Sequence, residues 1–364
     1  MFLVFFSLMK DDEDMFEVLL FIIRVIVRLM PLLVLYIALY QDPSHQKLRK
    51  SGFREKDAAV GNVRFHYAES SGADKPPLVL LHAQLLDWFS YHRVLIRLSE
   101  KYHVYAVDYP GHGKTVCPDD YEMSAENIGA SLAEFIREIV GQPVFISGNS
   151  SGGLLALWLA ANRPHLIRAA VLEDPPLLSS EYPAIKRTVA YRTFSSGASA
   201  VQEDTDGDYL MYWIRHSPAF FRNHLFPGAA SLLRFLILLT RMLKKNQPVE
   251  IPFLPPLFRE MLRGIDMYDP HFGKAFYEGT WNEGFDHTAA LDSVMCPVLL
   301  ITADTSFLED GTLNGAMSEE TAQFAFSRLR NGSRTKINAK HVTHLEAPDA
   351  YLEAVLPFLK QVSL

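Results

Sequence analysis

The chain has 364 residues, 49% of them hydrophobic and 21% charged, enough apolar material for one large domain with an insertion. Its formal net charge is -7 and its isoelectric point about 6.0, a balance that gives no sign of a nucleic-acid-binding surface. The two cysteines, Cys117 and Cys296, form neither a disulfide framework nor a metal-ligand spacing, and no internal repeat or low-complexity tract is present.

The first predicted element is the apolar run Phe16 to Tyr40. A bilayer span needs about 20 such residues. Arg24 and Arg28 interrupt the run, and each opposes insertion by roughly 2.5–3.5 kcal/mol at the bilayer centre, close to what the apolar residues return together. A membrane anchor is the preferred reading, giving a membrane-associated rather than a cytoplasmic protein. The alternative is an amphipathic helix lying on a membrane or on the protein's own surface, since Arg24 and Arg28 share a helical face. A cleaved signal peptide fits least, because no small-x-small site follows. Asp11, Asp12, Glu13 and Asp14 precede the run, and Lys47, Arg49, Lys50, Arg54 and Lys56 follow it. In a spanning segment that asymmetry puts the C-terminal bulk on the cytoplasmic side. The polar stretch Gln41 to Lys56 reads as a linker.

From about Val60 short β-rich runs alternate with helical patterns, the sign of an α/β fold with a mainly parallel sheet. NVRFHYAE alternates and predicts an early, half-exposed strand. Leu78 to Gln84 (LVLLHAQ) is a buried strand entering a turn, and His103 to Thr115 is another that ends in a Pro-Gly loop. A helix is predicted over about Ala125 to Val140. Val144 to Pro164 then reads as strand, Gly148-Asn149-Ser150-Ser151-Gly152-Gly153, helix. Gly-x-Ser-x-Gly between a strand and a helix is a nucleophile elbow: the turn is so tight that the residues flanking the serine need to lack side chains.

The combination LLHAQ, DYPGHGKT and SGNSSGG, in that order, resembles the α/β-hydrolase superfamily. The resemblance implies a mostly parallel central sheet flanked by helices, an inserted helical cap, and Ser150 as nucleophile. It implies an oxyanion hole from the backbone N–H groups of Ser151 and Gln84. The family usually has His-Gly in that first turn; here it is His82-Ala83, and alanine tolerates a positive φ poorly, so a slightly different turn is expected. His82 and His112 read as structural. The family's catalytic histidine falls at His341 in INAKHVTHLEAP, and an imidazole accepts and returns a proton near neutral pH. His344 reads as a surface or cap contact. For the carboxylate, the usual position after the seventh strand, Cys296 to Thr302, holds Ser306, with Asp304 two residues early. The sixth strand ends in Glu173-Asp174, and some family members carry their acid there. An ionisable residue at a buried strand end needs a partner. Glu173 is therefore favoured as the group that orients His341, with Asp304 as the alternative and Asp174 and Asp310 behind them.

About Pro175 to Val294 is far longer than an ordinary connection and occupies the place of the family's cap. Its apolar groups include Tyr209 to Trp213, Phe220, Phe221 and the run Leu232 to Leu243. Most of these read as packing, with a minority lining an apolar pocket. Leu232 to Lys245 also carries Arg234, Arg241, Lys244 and Lys245; a core helix is preferred over a membrane-surface contact. The expected division is 1–46 as hydrophobic segment and linker, 47–175 with 295–364 as core, and 176–294 as helical cap. The expected function is a serine hydrolase that cleaves an apolar carboxylic ester or lactone without a metal or organic cofactor. A carbon–carbon bond hydrolase of ring-cleavage products and a non-catalytic small-molecule binder are the alternatives. The expected partner is a small apolar substrate, with membrane association through the N-terminal segment and no nucleic acid; the sequence is silent on oligomeric state.

Overall fold

The structure is a computed structural model that describes residues 12–203, 207–217, 221 and 228–362. Asp11 of the acidic run and Phe220 of the insertion lie outside the described residues.

The frame is an eight-stranded sheet: β1 (Arg54–Val60), β2 (Val63–Glu69), β3 (Pro77–Leu81), β4 (His103–Asp108), β5 (Val144–Asn149), β6 (Ile167–Glu173), β7 (Val298–Thr302) and, past a small hairpin of β8 (Ser306–Phe307) and β9 (Leu313–Asn314), β10 (Gly332–Lys336). The spatial order is β1-β2-β4-β3-β5-β6-β7-β10. All pairs from β4 to β10 are parallel, and β1 and β2 add an antiparallel edge. The central strands read as unbroken apolar runs because both faces are covered. Strand alternation divides them: Val79, Leu81 and Ile146 join one core with Leu132 and Leu155, whereas Leu78, Leu80 and Phe145 join the other with Tyr351, Val355 and Leu359. The covering helices are α3 (Ala125–Phe135) and α4 (Ser151–Asn162) on the first face and, on the second, α11 (Pro348–Val362), which follows the short α10 (Thr343–Glu346). Between β6 and β7 the chain forms α5 (Val189–Gln202), α6 (Tyr209–His216), α7 (Ala229–Leu243), α8 (Pro256–Asp266) and α9 (Pro270–Glu278).

Three expectations change. The stretch read as a linker contains a helix, α2 (Pro43–Lys50), and the start of β1, Arg54 to Lys56. Pro43 starts α2 at a position where its missing N–H is not needed, and the Asp42 carboxylate caps it by accepting from the Ser44 N–H at 2.8 Å. The strand read as half-exposed, β2, is mostly buried, because β1 pairs along one side of it and β4 along the other. Residues of the N-terminal apolar run form the helix α1 (Asp12–Leu39). Among the described residues no helix is long and apolar enough to cross a membrane, so the spanning anchor is not supported.

Candidate active site

Strand β5 and helix α4 meet at Ser150, whose φ of 57° and ψ of -121° lie in a region that non-glycine residues rarely adopt. The neighbours explain the glycines. A Cβ on Gly148 would stand 2.0 Å from the Gly152 carbonyl oxygen, and one on Gly152 would stand 2.3 Å from that of Leu81. No side chain fits at either place without moving backbone. The bend is tied to the next strand by the Ser150 N–H, which donates to the Glu173 carbonyl at 2.9 Å.

That next strand supplies the carboxylate. Asn149 and Glu173 are register partners at the ends of β5 and β6, so Ser150 and Asp174 leave adjacent strands side by side. Asp174 turns away with a positive φ of 43° and is 2% exposed. Its Oδ1 accepts from the Ala303 N–H at 3.1 Å, and its Oδ2 accepts from His341 Nδ1 at 2.7 Å. Burial pushes the His341 pKa down, but the Asp174 carboxylate outweighs it and holds the imidazole above its ordinary value. The His341 carbonyl accepts from Asn149 Nδ2 at 2.9 Å, which links the elbow directly to the loop that carries the imidazole.

Glu173, the carboxylate favoured from the sequence, lies elsewhere. Successive strand residues point to opposite faces, and its fully buried side chain accepts from Thr343 Oγ1 at 2.6 Å and from the His344 N–H at 2.9 Å. His344 Nδ1 donates to its Oε2 at 2.8 Å. Burial raises the Glu173 pKa, but His344 and Thr343 together hold it below the usual carboxylate range. Glu173 therefore braces the histidine loop rather than the imidazole of His341. His344 is not a surface contact: it is fully buried, with its ring stacked on Tyr91 at 3.8 Å. Asp304 faces solvent and pairs with Lys336 at 3.5 Å, and Asp310 pairs with Arg192, so neither sits on His341. The sequence signal that separates Asp174 from Glu173 is the alternation of β6, which turns successive side chains to opposite faces.

Ser150, Ser151, Gln84 and His341 line one cavity of about 230 Å³. Its remaining wall is mostly apolar and includes Ile185, Val189, Phe194 and Phe276 from the long insertion. Ser151 is the first residue of α4, and its hydroxyl is bonded to the Tyr109 hydroxyl at 2.9 Å. The Gln84 side chain donates to the Tyr268 hydroxyl. In the turn after β3 the positive φ falls on Leu85, at 65°, and not on Ala83, which is how the chain manages without the usual glycine. His82 and His112 are buried with pKa values held down by desolvation; His82 stacks on Tyr109, and His112 packs against the same ring at a tilt.

The fold and the sequence have known relatives. Pheophytinase from Arabidopsis thaliana is 28% identical over 143 residues, 30% of this chain and 29% of its own length. Esterase Rv0045c from Mycobacterium tuberculosis is 34% identical over 103 residues, 28% of this chain and 34% of its own. The chain thus spans about a third of the length of these curated relatives. Among solved structures, carboxylesterase CesB (YbfK) from Bacillus subtilis aligns with a TM-score of 0.59 at 18% identity, over 87% of this chain and 96% of that one, a likeness of fold. The model of the alpha/beta hydrolase family matches residues 78–354, which takes in the elbow, the insertion and the histidine loop. On that match, which covers well over half of the chain, the chain belongs to the alpha/beta hydrolase family.

Proposed function

We propose that the chain is a serine hydrolase that cleaves a carboxylic ester or lactone of apolar character through an acyl-enzyme on Ser150. The observation that carries this reading is the 2.7 Å contact between His341 Nδ1 and Asp174 Oδ2, made behind a cavity that His341 and Ser150 line together. With Nδ1–H committed to a carboxylate, Nε2 is left as the proton acceptor. His341 takes the Ser150 proton as the oxygen attacks the acyl carbon and returns it to the leaving alkoxide. The backbone N–H groups of Ser151 and Gln84 receive the oxyanion, a term worth about 2.7–4 kcal/mol for one donor. Water, deprotonated by the same imidazole, then releases the acid.

The insertion serves in this reading as a cap over the catalytic edge of the sheet. Ile185, Val189, Phe194 and Phe276 give the acyl or alcohol group an apolar wall, so a charged acyl group is a poor substrate. The test is covalent labelling with a fluorophosphonate, together with turnover of p-nitrophenyl esters of graded chain length. Wild type is expected to label and turn over, and Ser150→Ala to do neither. Labelling that persists in Ser150→Ala would overturn the assignment.

A further inference from the structure

Two helices present apolar side chains on the face turned away from the protein. On α7, Leu233, Leu236, Ile237 and Thr240 are buried, while Leu232, Phe235, Leu238 and Met242 are exposed on the opposite side. On α1, Leu33, Val34 and Ile37 pack against the core, while Phe21, Val25, Leu29, Leu32, Tyr36 and Leu39 form an exposed stripe at helical spacing. A surface helix normally shows polar residues on its outer face. The helices touch, and their C-terminal ends are joined where Lys244 Nζ donates to the Tyr40 carbonyl, so the two stripes belong to one region of the surface. An apolar patch of this kind marks a site that something covers.

The charges nearby indicate what covers it. Exposed Lys47, Arg49 and Lys50 lie on α2, the helix that follows α1 in the chain, exposed Lys245 lies just past α7, and exposed Arg24 and Arg28 flank the α1 stripe. A cavity of about 400 Å³ opens there, lined by Arg49, Arg54 and the buried Lys244, with Lys114 paired to Glu55 and Arg263 to Glu250. Apolar side chains beside a concentration of cations, on a chain whose overall charge is -7, match an anionic lipid surface rather than a soluble acidic protein. We propose that α1 and α7 lie together on the surface of an anionic phospholipid bilayer, with their outer side chains among the acyl chains and the cations around the cavity on the headgroup phosphates. The stems of Arg24 and Arg28 run along the stripe while their guanidinium groups stay at headgroup level.

The experiment uses the full chain and vesicle flotation. Vesicles of equal parts phosphatidylcholine and phosphatidylglycerol are compared with phosphatidylcholine alone. The protein is expected to float with the anionic vesicles, to partition about tenfold less onto the neutral ones, and to be released as salt rises. Leu238→Glu with Met242→Glu is expected to abolish flotation, and Lys47→Glu with Lys50→Glu to reduce it about tenfold or more. Both variants replace exposed residues, and unchanged thermal midpoints check that they fold. Equal partition onto both vesicle types, flotation that survives in the Leu238/Met242 variant, or no flotation at all overturns the proposal. So does a solution dimer that the same variant dissociates, which makes a second copy the occupant. Stabilisation by free inorganic phosphate without vesicle binding assigns the cavity to a soluble anion and likewise overturns it.

Discussion

At the scale of single residues, the proposed chemistry turns on which of two adjacent carboxylates faces the imidazole. Asp174 holds His341 above its ordinary pKa, and a serine hydrolase needs that ring neutral. Protonation therefore removes activity as pH falls, and the acid limb of kcat/KM is expected above the ordinary histidine value of about 6.5. Asp174→Asn is expected to lower kcat by about 10⁴ and to shift the limb to lower pH, since the group that raises the pKa is gone. Glu173→Gln is expected to leave the limb in place and to lower the melting midpoint, because a buried pair with His344 loses its charge. Asp304→Asn, on a solvent-facing side chain, is expected to change neither. A pH–rate profile of the three variants decides between them; loss of turnover in Asp304→Asn alone would return the acid to the seventh strand. Ser150 and His341 are legible in the sequence because a tight turn and a C-terminal loop leave local signatures. The partner of His341 is less so: two carboxylates in succession differ only in which face of the strand they occupy, and that is fixed by the register of β6 against β5.

At the scale of elements, legibility follows apolar periodicity. The five central strands and the helices α3 and α4 read correctly because both sheet faces are dry and their apolar runs are long. Helix α2 and the start of β1 read as a linker because they bury almost nothing: Leu48 is the buried residue of α2, and in β1 the buried residue is Val60, at its far end. Their structure comes from a cap and from edge pairing, which leave little hydrophobic trace. Leu232 to Lys245 reads as a core helix; in the structure one face of α7 is core and the other is exposed. Where α3 and α4 pack, the constraint is steric. A Cβ on Gly129 of α3 would stand 2.2 Å from the Trp158 ring of α4. Gly129→Ala is expected to destabilise the fold by about 1–3 kcal/mol despite alanine's better helix propensity, read as a lower denaturant midpoint at unchanged slope.

At the scale of the whole molecule, residues of the insertion wall the cavity of the proposed active site, and α1 and α7 carry the proposed lipid-facing region. Vesicle flotation and ester turnover are thus separable measurements, and a variant that loses one is expected to keep the other. The backbone at Ser150 has a bearing on the stability of the entire chain. A serine held at φ 57° and ψ -121° opposes folding by about 1–3 kcal/mol relative to a residue at ease there. Glycine is at ease there, although it gives part of this back through its freer unfolded chain. Two inactive variants should therefore melt apart: Ser150→Gly is expected to outlast Ser150→Ala by about 1 kcal/mol, seen as a higher calorimetric midpoint. The proposed nucleophile and thermal endurance would then be rivals at one position, and a protein without that hydroxyl would be the hardier one.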